Sequence, residues 1–210
     1  MLVESFIDIL KMDSSSTVLL PTAYLGNISY YAKIKNTAIH RIERHENYIK
    51  QTIRNRCTIL GANGPLSLTI PIHRPSGIKV KIDEVEISNI DQWQRIHWQA
   101  IVSAYNSSPF FEYYEDYFRP LFEKRFEYLF DFNCELHSIV LKLLKIKSEL
   151  EFTQEYSQQL INDFRDTKKL TEHADLQEYY QVFSYKIGFQ ENLSILDLLC
   201  NEGPRALEYL

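Results

Sequence analysis

Arg54, Asn55 and Arg56 stand in a row, with Lys50 and Gln51 just before them. Arginine presents a planar fork of donors that fits phosphate or carboxylate, and an asparagine amide can orient the same anion. Where such a run enters a strand, Arg54 and Arg56 share one face and can grip one anion between them. The alternative is structural: one of these arginines bridges to Glu43 or Glu46. His97 carries the second chemistry, because its ordinary pKa lies in the physiological range and suits a base for an amine or hydroxyl. A histidine on the apolar face of a helix can equally be a satisfied core group. Trp98 adjoins it, and Tyr24, Tyr30 and Tyr31 offer rings to stack on a sugar or base and hydroxyls to orient it. With 14 Tyr and 12 Phe in the chain, a core aromatic cluster competes with that reading.

The remaining reactive types form weaker patterns. Cys57 adjoins Arg56, and a neighbouring cation lowers a thiol pKa, but nothing pairs it with His73 or His97, so a buried strand cysteine is expected. His40, Glu43 and His45 have no zinc spacing, and six glycines supply no phosphate loop. No metal and no cofactor is expected. No RNA or DNA motif accompanies the basic residues, so nucleic acid is not the expected partner.

Charge points to an anionic small molecule. The chain carries −5 overall, yet Lys33 to Lys81 holds ten Lys and Arg against Glu43 and Glu46, a net +8. The other thirteen basic and twenty-six acidic residues give −13. A basic stretch in an acidic protein marks a place for phosphate, nucleotide or nucleotide-sugar, or else pairs with the acidic helices that follow.

These residues need elements to position them. Thr17–Pro21 is an apolar run expected to form a buried strand ended by proline, and Tyr24 to Lys35 has a partly helical period with Gly26 or Asn27 near its N-cap. Thr37 to Ile42 is a second strand, so the chain opens in a βαβ-like way. Ligands favour the loop after such a first strand, and the helix N-terminus could itself receive an anion. Glu43 to Arg56 is expected to be mostly loop. Cys57–Leu60 and Leu66–Ile70 flank an Asn63-Gly64 loop as a hairpin. Ile78 to Ile87 alternates as an amphipathic strand bulged near Asp83. From Ile90 the period becomes helical: Trp93, Ile96, His97, Ala100, Ile101 and Ala104 share one face. Helices follow through Tyr113–Phe122 and Leu129–Ile146, then an edge strand at Glu149–Tyr156. The polar stretch Asp163 to Gln177 is expected to be a mobile loop, and Ile195–Cys200 a short apolar helix stopped near Gly203-Pro204.

The fold class expected is therefore mixed α/β (α+β), with a small N-terminal sheet and a largely helical C-terminal half. At 210 residues the chain is a single domain, with residues 15–88 forming the sheet, 89–147 the helical cover and 148–210 a strand, loop and helix returning to the core. No run approaches the roughly 20 apolar residues of a membrane span. Residues 1–13 lack the charge pattern of a signal peptide, and three widely spaced cysteines suit reduced thiols, so a cytoplasmic protein is expected.

Taken in order, several pieces resemble the WbqC-like family of bacterial proteins. They are Leu20-Pro-Thr-Ala-Tyr24 with Tyr30-Tyr31, Tyr48 to Cys57, Asn63-Gly64, Pro71, Trp93 with His97-Trp98, Tyr105 to Tyr114, and Asn192 to Pro204. The chain departs from the family pattern at its first loop, with Leu20 for a glutamine and Gly26 and Asn27 where proline and tryptophan fall. The resemblance implies a part in surface-polysaccharide biosynthesis, through N-acyl (glycyl-type) transfer to a nucleotide-linked amino sugar. Lys50, Gln51, Arg54, Asn55 and Arg56 would then hold the anionic part, His97 would act as base, and Tyr24 and Trp98 would frame the sugar. The competing expectation is a non-catalytic binding or assembly protein that docks an anionic partner through its basic segment. A cleft holding both Arg54 and His97 would favour catalysis; separation of the two would count against it.

Overall fold

The structure is a computed structural model that describes residues 17–73, 79–156, 162–171 and 176–210. The expectation for residues 1–13 lies outside these. Strand β1 (Thr17–Pro21) is buried along nearly its whole length, as its unbroken apolar run demands. Helix α1 (Ile28–Lys35) follows, capped by the Asn27 side chain, which accepts from the Tyr30 N–H. Strand β2 (Ile39–Glu43) then lies parallel to β1, completing the predicted βαβ opening. Strands β3 (Arg56–Gly61) and β4 (Gly64–Thr69) form the predicted hairpin as a separate two-stranded sheet. Its turn residues are Ala62 and Asn63, and Gly64 opens β4 at φ +117°, a backbone that L side chains rarely adopt.

Three helices cover the sheets: α2 (Trp93–Tyr105), α3 (Phe111–Glu123) and α4 (Leu129–Leu144). The stripe of α2 is narrower than its period suggests. Trp93, His97, Ile101 and Ala104 are buried, whereas Ile96 is 54% exposed. Phe132 of α4 centres the core, meeting the rings of Tyr24, Trp93, Phe122 and Phe126.

Strand β5 (Glu149–Phe152) joins β2 in parallel, giving the order β1-β2-β5 with β5 at the edge, as its alternation predicts. The sheet thus draws one strand from beyond residues 15–88. On the other side of β1, Leu19 bridges in parallel to Asp163, donating to the Asn162 carbonyl and accepting from Phe164 N–H. Short helices α5 (Lys168–Thr171) and α6 (Ser184–Ile187) follow, then α7 (Ile195–Glu202), buried throughout. Gly203 stops α7 at φ +55°, where an added Cβ would meet the Phe110 ring at 2.5 Å.

Two expectations are corrected. The segment after residue 78 is a single 3-10 turn at Ile82–Glu84 with isolated bridges, not a strand. Ile82 and Val85 are both buried, and a 3-10 turn brings residues three apart to one side, whereas a strand would send them to opposite faces. Ile78 lies outside the described residues. The predicted mobile loop from Asp163 is built into the fold at its start, through the Leu19 bridge and α5; residues 172–175 lie outside the described residues. Among the described residues no helix is long and apolar enough to cross a membrane.

Candidate functional site

The parallel strands all end on the same side, at Pro21, Glu43 and Phe152, with Phe164 beside them. The segments leaving those ends converge there, which is where open α/β sheets hold ligands. Two cavities open at this edge and adjoin, with Thr52 and Thr167 lining both. A larger hollow of about 570 Å³, around His73, Glu86, Arg125 and Glu127, shares no residue with them and holds none of the predicted site residues.

The first cavity, about 440 Å³, is walled by a buried ion network. Arg54 is 0% exposed and grips Glu46 with two bonds, Nε to Oε1 at 2.7 Å and Nη2 to Oε2 at 2.6 Å. It also donates to the Arg165 carbonyl at 3.1 Å and to Thr52 Oγ1 at 3.3 Å. Arg165 in turn donates to Glu43 at 2.8 Å and to Asp163 at 2.6 Å. Glu43 closes the network by accepting from Thr153 Oγ1 and from the His45 N–H. Burial raises the Glu46 carboxyl above its ordinary pKa, against the opposing pull of Arg54. Burial also lifts Asp163, but its bonds from Arg165 outweigh that and hold it below the carboxylate norm.

The second cavity, about 280 Å³, contains Arg56, Gln51, Asn27, Thr58, Ser67 and Asn192 in its wall, and no carboxylate among the described residues. Arg56 makes no side-chain hydrogen bond or ion pair among the described residues, and its Nε is shut off from solvent without a partner. A buried donor left unpaired costs on the order of 1–3 kcal/mol, so it needs a reason. Three residues with positive φ line the same cavity: Leu25 at 44°, Gln51 at 58° and Asn192 at 53°. Backbone strain of this kind gathers at binding sites.

Of the predicted site residues, Gln51 and Arg56 meet at the second cavity, and Arg54 lines the first. The two arginines do not share a face, because Arg54 precedes β3 and turns toward Glu46. Lys50 is exposed, and the Asn55 amide donates to the Ile70 carbonyl at 3.0 Å. Tyr24 and His97 come together in the core, Tyr24 Oη and His97 Nδ1 being 2.9 Å apart. His97 is 5% exposed, and burial pulls its pKa down to about 4, against an opposing bond from the Thr69 backbone, so its ring is neutral at pH 7. Burial also raises the Tyr24 phenol and the Cys57 thiol. Trp98 packs against Phe111 and Phe122.

The N-terminus of α1 has its donors engaged. Ile28 N–H goes to the Leu193 carbonyl, Ser29 N–H to Asn192 Oδ1 and Tyr30 N–H to Asn27 Oδ1. No free backbone donor there awaits an anion. Sequence reasoning missed Arg165 and Asn192. The first gives no local signal, while the second is visible only as the residue two before a capping serine.

A match to the WbqC-like protein family spans residues 22–182, which takes in both cavities' arginines but stops short of Asn192. "Uncharacterized protein Rv1507c" of Mycobacterium tuberculosis is 26% identical over 193 residues, covering 78% of this chain and 83% of that protein. No solved structure matches.

Proposed function

The chain belongs to the WbqC-like protein family, and on that premise we propose that it serves surface-polysaccharide biosynthesis by N-acyl (glycyl-type) transfer to a nucleotide-linked amino sugar. The observation that carries the ligand class is Arg56, whose guanidinium has no partner among the described residues, in a cavity whose described wall has no carboxylate. Such a fork fits an anion bidentately. The cavity of about 280 Å³ is small for a whole nucleotide-sugar, and the adjoining one of about 440 Å³ gives room for the remainder. In the transfer, the amine nitrogen attacks the carbonyl carbon of an activated acyl donor such as a thioester. The C–N bond forms, the C–S bond breaks, and the leaving thiolate takes up the proton that the nitrogen loses, giving amide and thiol. Gln51 and Arg56 hold the anionic end. Tyr24 and His97 act from beneath, bracing the strand that carries Arg56.

A thermal-shift and turnover screen tests this, with amino-sugar nucleotides, nucleoside phosphates and acyl thioesters against wild type and Arg56→Ala. Stabilisation by the amino-sugar nucleotide, lost in the variant, and turnover with a donor are expected. The burial of His97 outside the Arg54 cavity favours a second reading, a non-catalytic protein that docks an anionic partner. Binding without turnover across the donor panel would support that reading and remove the first.

A further inference from the structure

We propose that Asn192 and Arg56 together form a phosphoryl-recognition site in the cavity of about 280 Å³. This rests on the anionic-ligand reading above, and it names the group bound and the second residue that seats it.

Asn192 holds a left-handed backbone, φ 53°, that asparagine accepts more readily than other non-glycine residues. Its Oδ1 accepts the Ser29 N–H at 3.0 Å, and only the carbonyl end of an amide can do so. That bond fixes the amide's orientation. Its Nδ2 has no partner among the described residues, and the side chain borders the cavity. Asn192 therefore brings two amide hydrogens, and Arg56 a half-buried guanidinium whose Nε–H is unpartnered among the described residues, to one half-open cavity.

The charge of that space selects the ligand. Helices α1 and α7 begin on either side of the Asn27–Ser194 bridge, and both Asn27 and Ser194 line the cavity. Their first N–H groups are consumed internally, Ile195 N–H by the Gly26 carbonyl and Leu196 N–H by Ser194 Oγ, so the helices contribute field and not hydrogen bonds. Each helix start is equivalent to roughly +0.5 charge. With one guanidinium and two helix starts whose first N–H groups are already bonded, the cavity presents between about +1 and +2, against no carboxylate among the described residues of its wall. A phosphate monoester at pH 7 carries about −1.5 to −2, and a carboxylate carries −1. The match is to a phosphoryl group, with Ser67 and Thr58 hydroxyls available to its remaining oxygens.

Asn192→Asp is a close test. It keeps an oxygen for the Ser29 N–H and suits the left-handed backbone, but it puts a carboxylate where the two donors were. Calorimetry on the full chain with inorganic phosphate, and with acetate as the carboxylate probe, should show phosphate binding to wild type in clear preference to acetate. Phosphate affinity should fall at least tenfold in Asn192→Asp and be lost in Arg56→Gln. The unliganded Asn192→Asp protein should melt no lower than wild type, because a carboxylate suits two helix starts. Acetate binding as tight as phosphate, no phosphate binding to wild type, or an Asn192→Asp affinity within twofold of wild type would each overturn the proposal. If an amino-sugar nucleotide still binds through Arg56 while Asn192→Asp changes nothing, this inference falls and the broader function stands. Should Asn192→Asp not fold, NMR on wild type decides: the Asn192 side-chain amide and Arg56 Nε–H signals shift with phosphate, or the site is wrong.

Discussion

Arg54 and Arg56 are two residues apart, and each faces its own cavity at one sheet edge. Arg54 has committed its donors to Glu46, Thr52 and the Arg165 carbonyl, and it is sealed from water. Arg56 has committed none of its side-chain donors, although its Nε is equally sealed. The difference separates a guanidinium that stabilises from one that recognises. A buried charge with a bidentate partner holds loops together and is costly to break. A half-buried charge without one adds no stability to the empty fold and keeps its donors for something outside the chain.

The contrast predicts a ranked set of effects. Arg54→Ala strands Glu46 as an unpaired buried carboxylate and should cost about 3–5 kcal/mol in urea unfolding. A loss under about 1 kcal/mol would erase the distinction between the two arginines, since surface pairs are worth no more than that. Acid should weaken the floor beneath both cavities. Under β2, His40 and His137 face each other, Nε2 to Nε2 at 3.0 Å, with Ser148 and Tyr31 at their outer nitrogens. Burial pulls them down to about 4 and about 3, and His97 under β3 to about 4. Folded values below the unfolded 6.5 mean that the unfolded chain takes up protons first. Stability is therefore full above roughly pH 6.5 and falls as pH drops toward 4, by up to about 3 kcal/mol for each histidine. A flat stability profile from pH 7 to 4.5 would contradict this.

Tyr24→Phe removes the hydroxyl that meets His97 and should cost about 1–2 kcal/mol by denaturant unfolding, leaving a buried ring nitrogen unpaired. Arg56→Ala removes the unpaired Nε–H and should lower stability by no more than about 0.5 kcal/mol, if at all, while abolishing anion binding. A large stability loss there would show that Arg56 is structural after all, and the two cavities would no longer differ in kind.

Legibility in the sequence follows the range of the interaction. Thr17–Pro21, the Asn27 cap and the β2 run are local signals, and the βαβ opening follows from them. The hairpin was legible for the same reason, through its β-rich runs and a glycine that opens β4. Ile82 and Val85 were misread because a short alternating run and a 3-10 turn leave similar marks. The idea that Arg54 and Arg56 share a face assumes strand backbone already at Arg54, whereas the strand begins only at Arg56. The Glu43–Arg165 pair spans 122 residues, and no periodicity encodes a contact of that kind. Arg54 with Glu46, eight residues apart, was legible as the structural alternative to ligand binding. The unpaired state of Arg56 was not, because an absent partner leaves no trace in a sequence.

The head-to-head meeting of α1 and α7 ties two distant parts of the sequence together. Ser29 meets Asn192 across 163 residues, and the Leu25 carbonyl meets Ser194 across 169. Contacts of such separation carry a high loop-closure cost. A chain that has paired β1 with β2 and packed α2 to α4 still has the Ile28 and Ser29 amides bare, and one wall of the Arg56 cavity missing. Only when residues 192–195 dock is that wall complete. Ligand held at Arg56 and Asn192 would then bridge β3 and the segment before α7, so occupancy favours the docked wall and resists its opening.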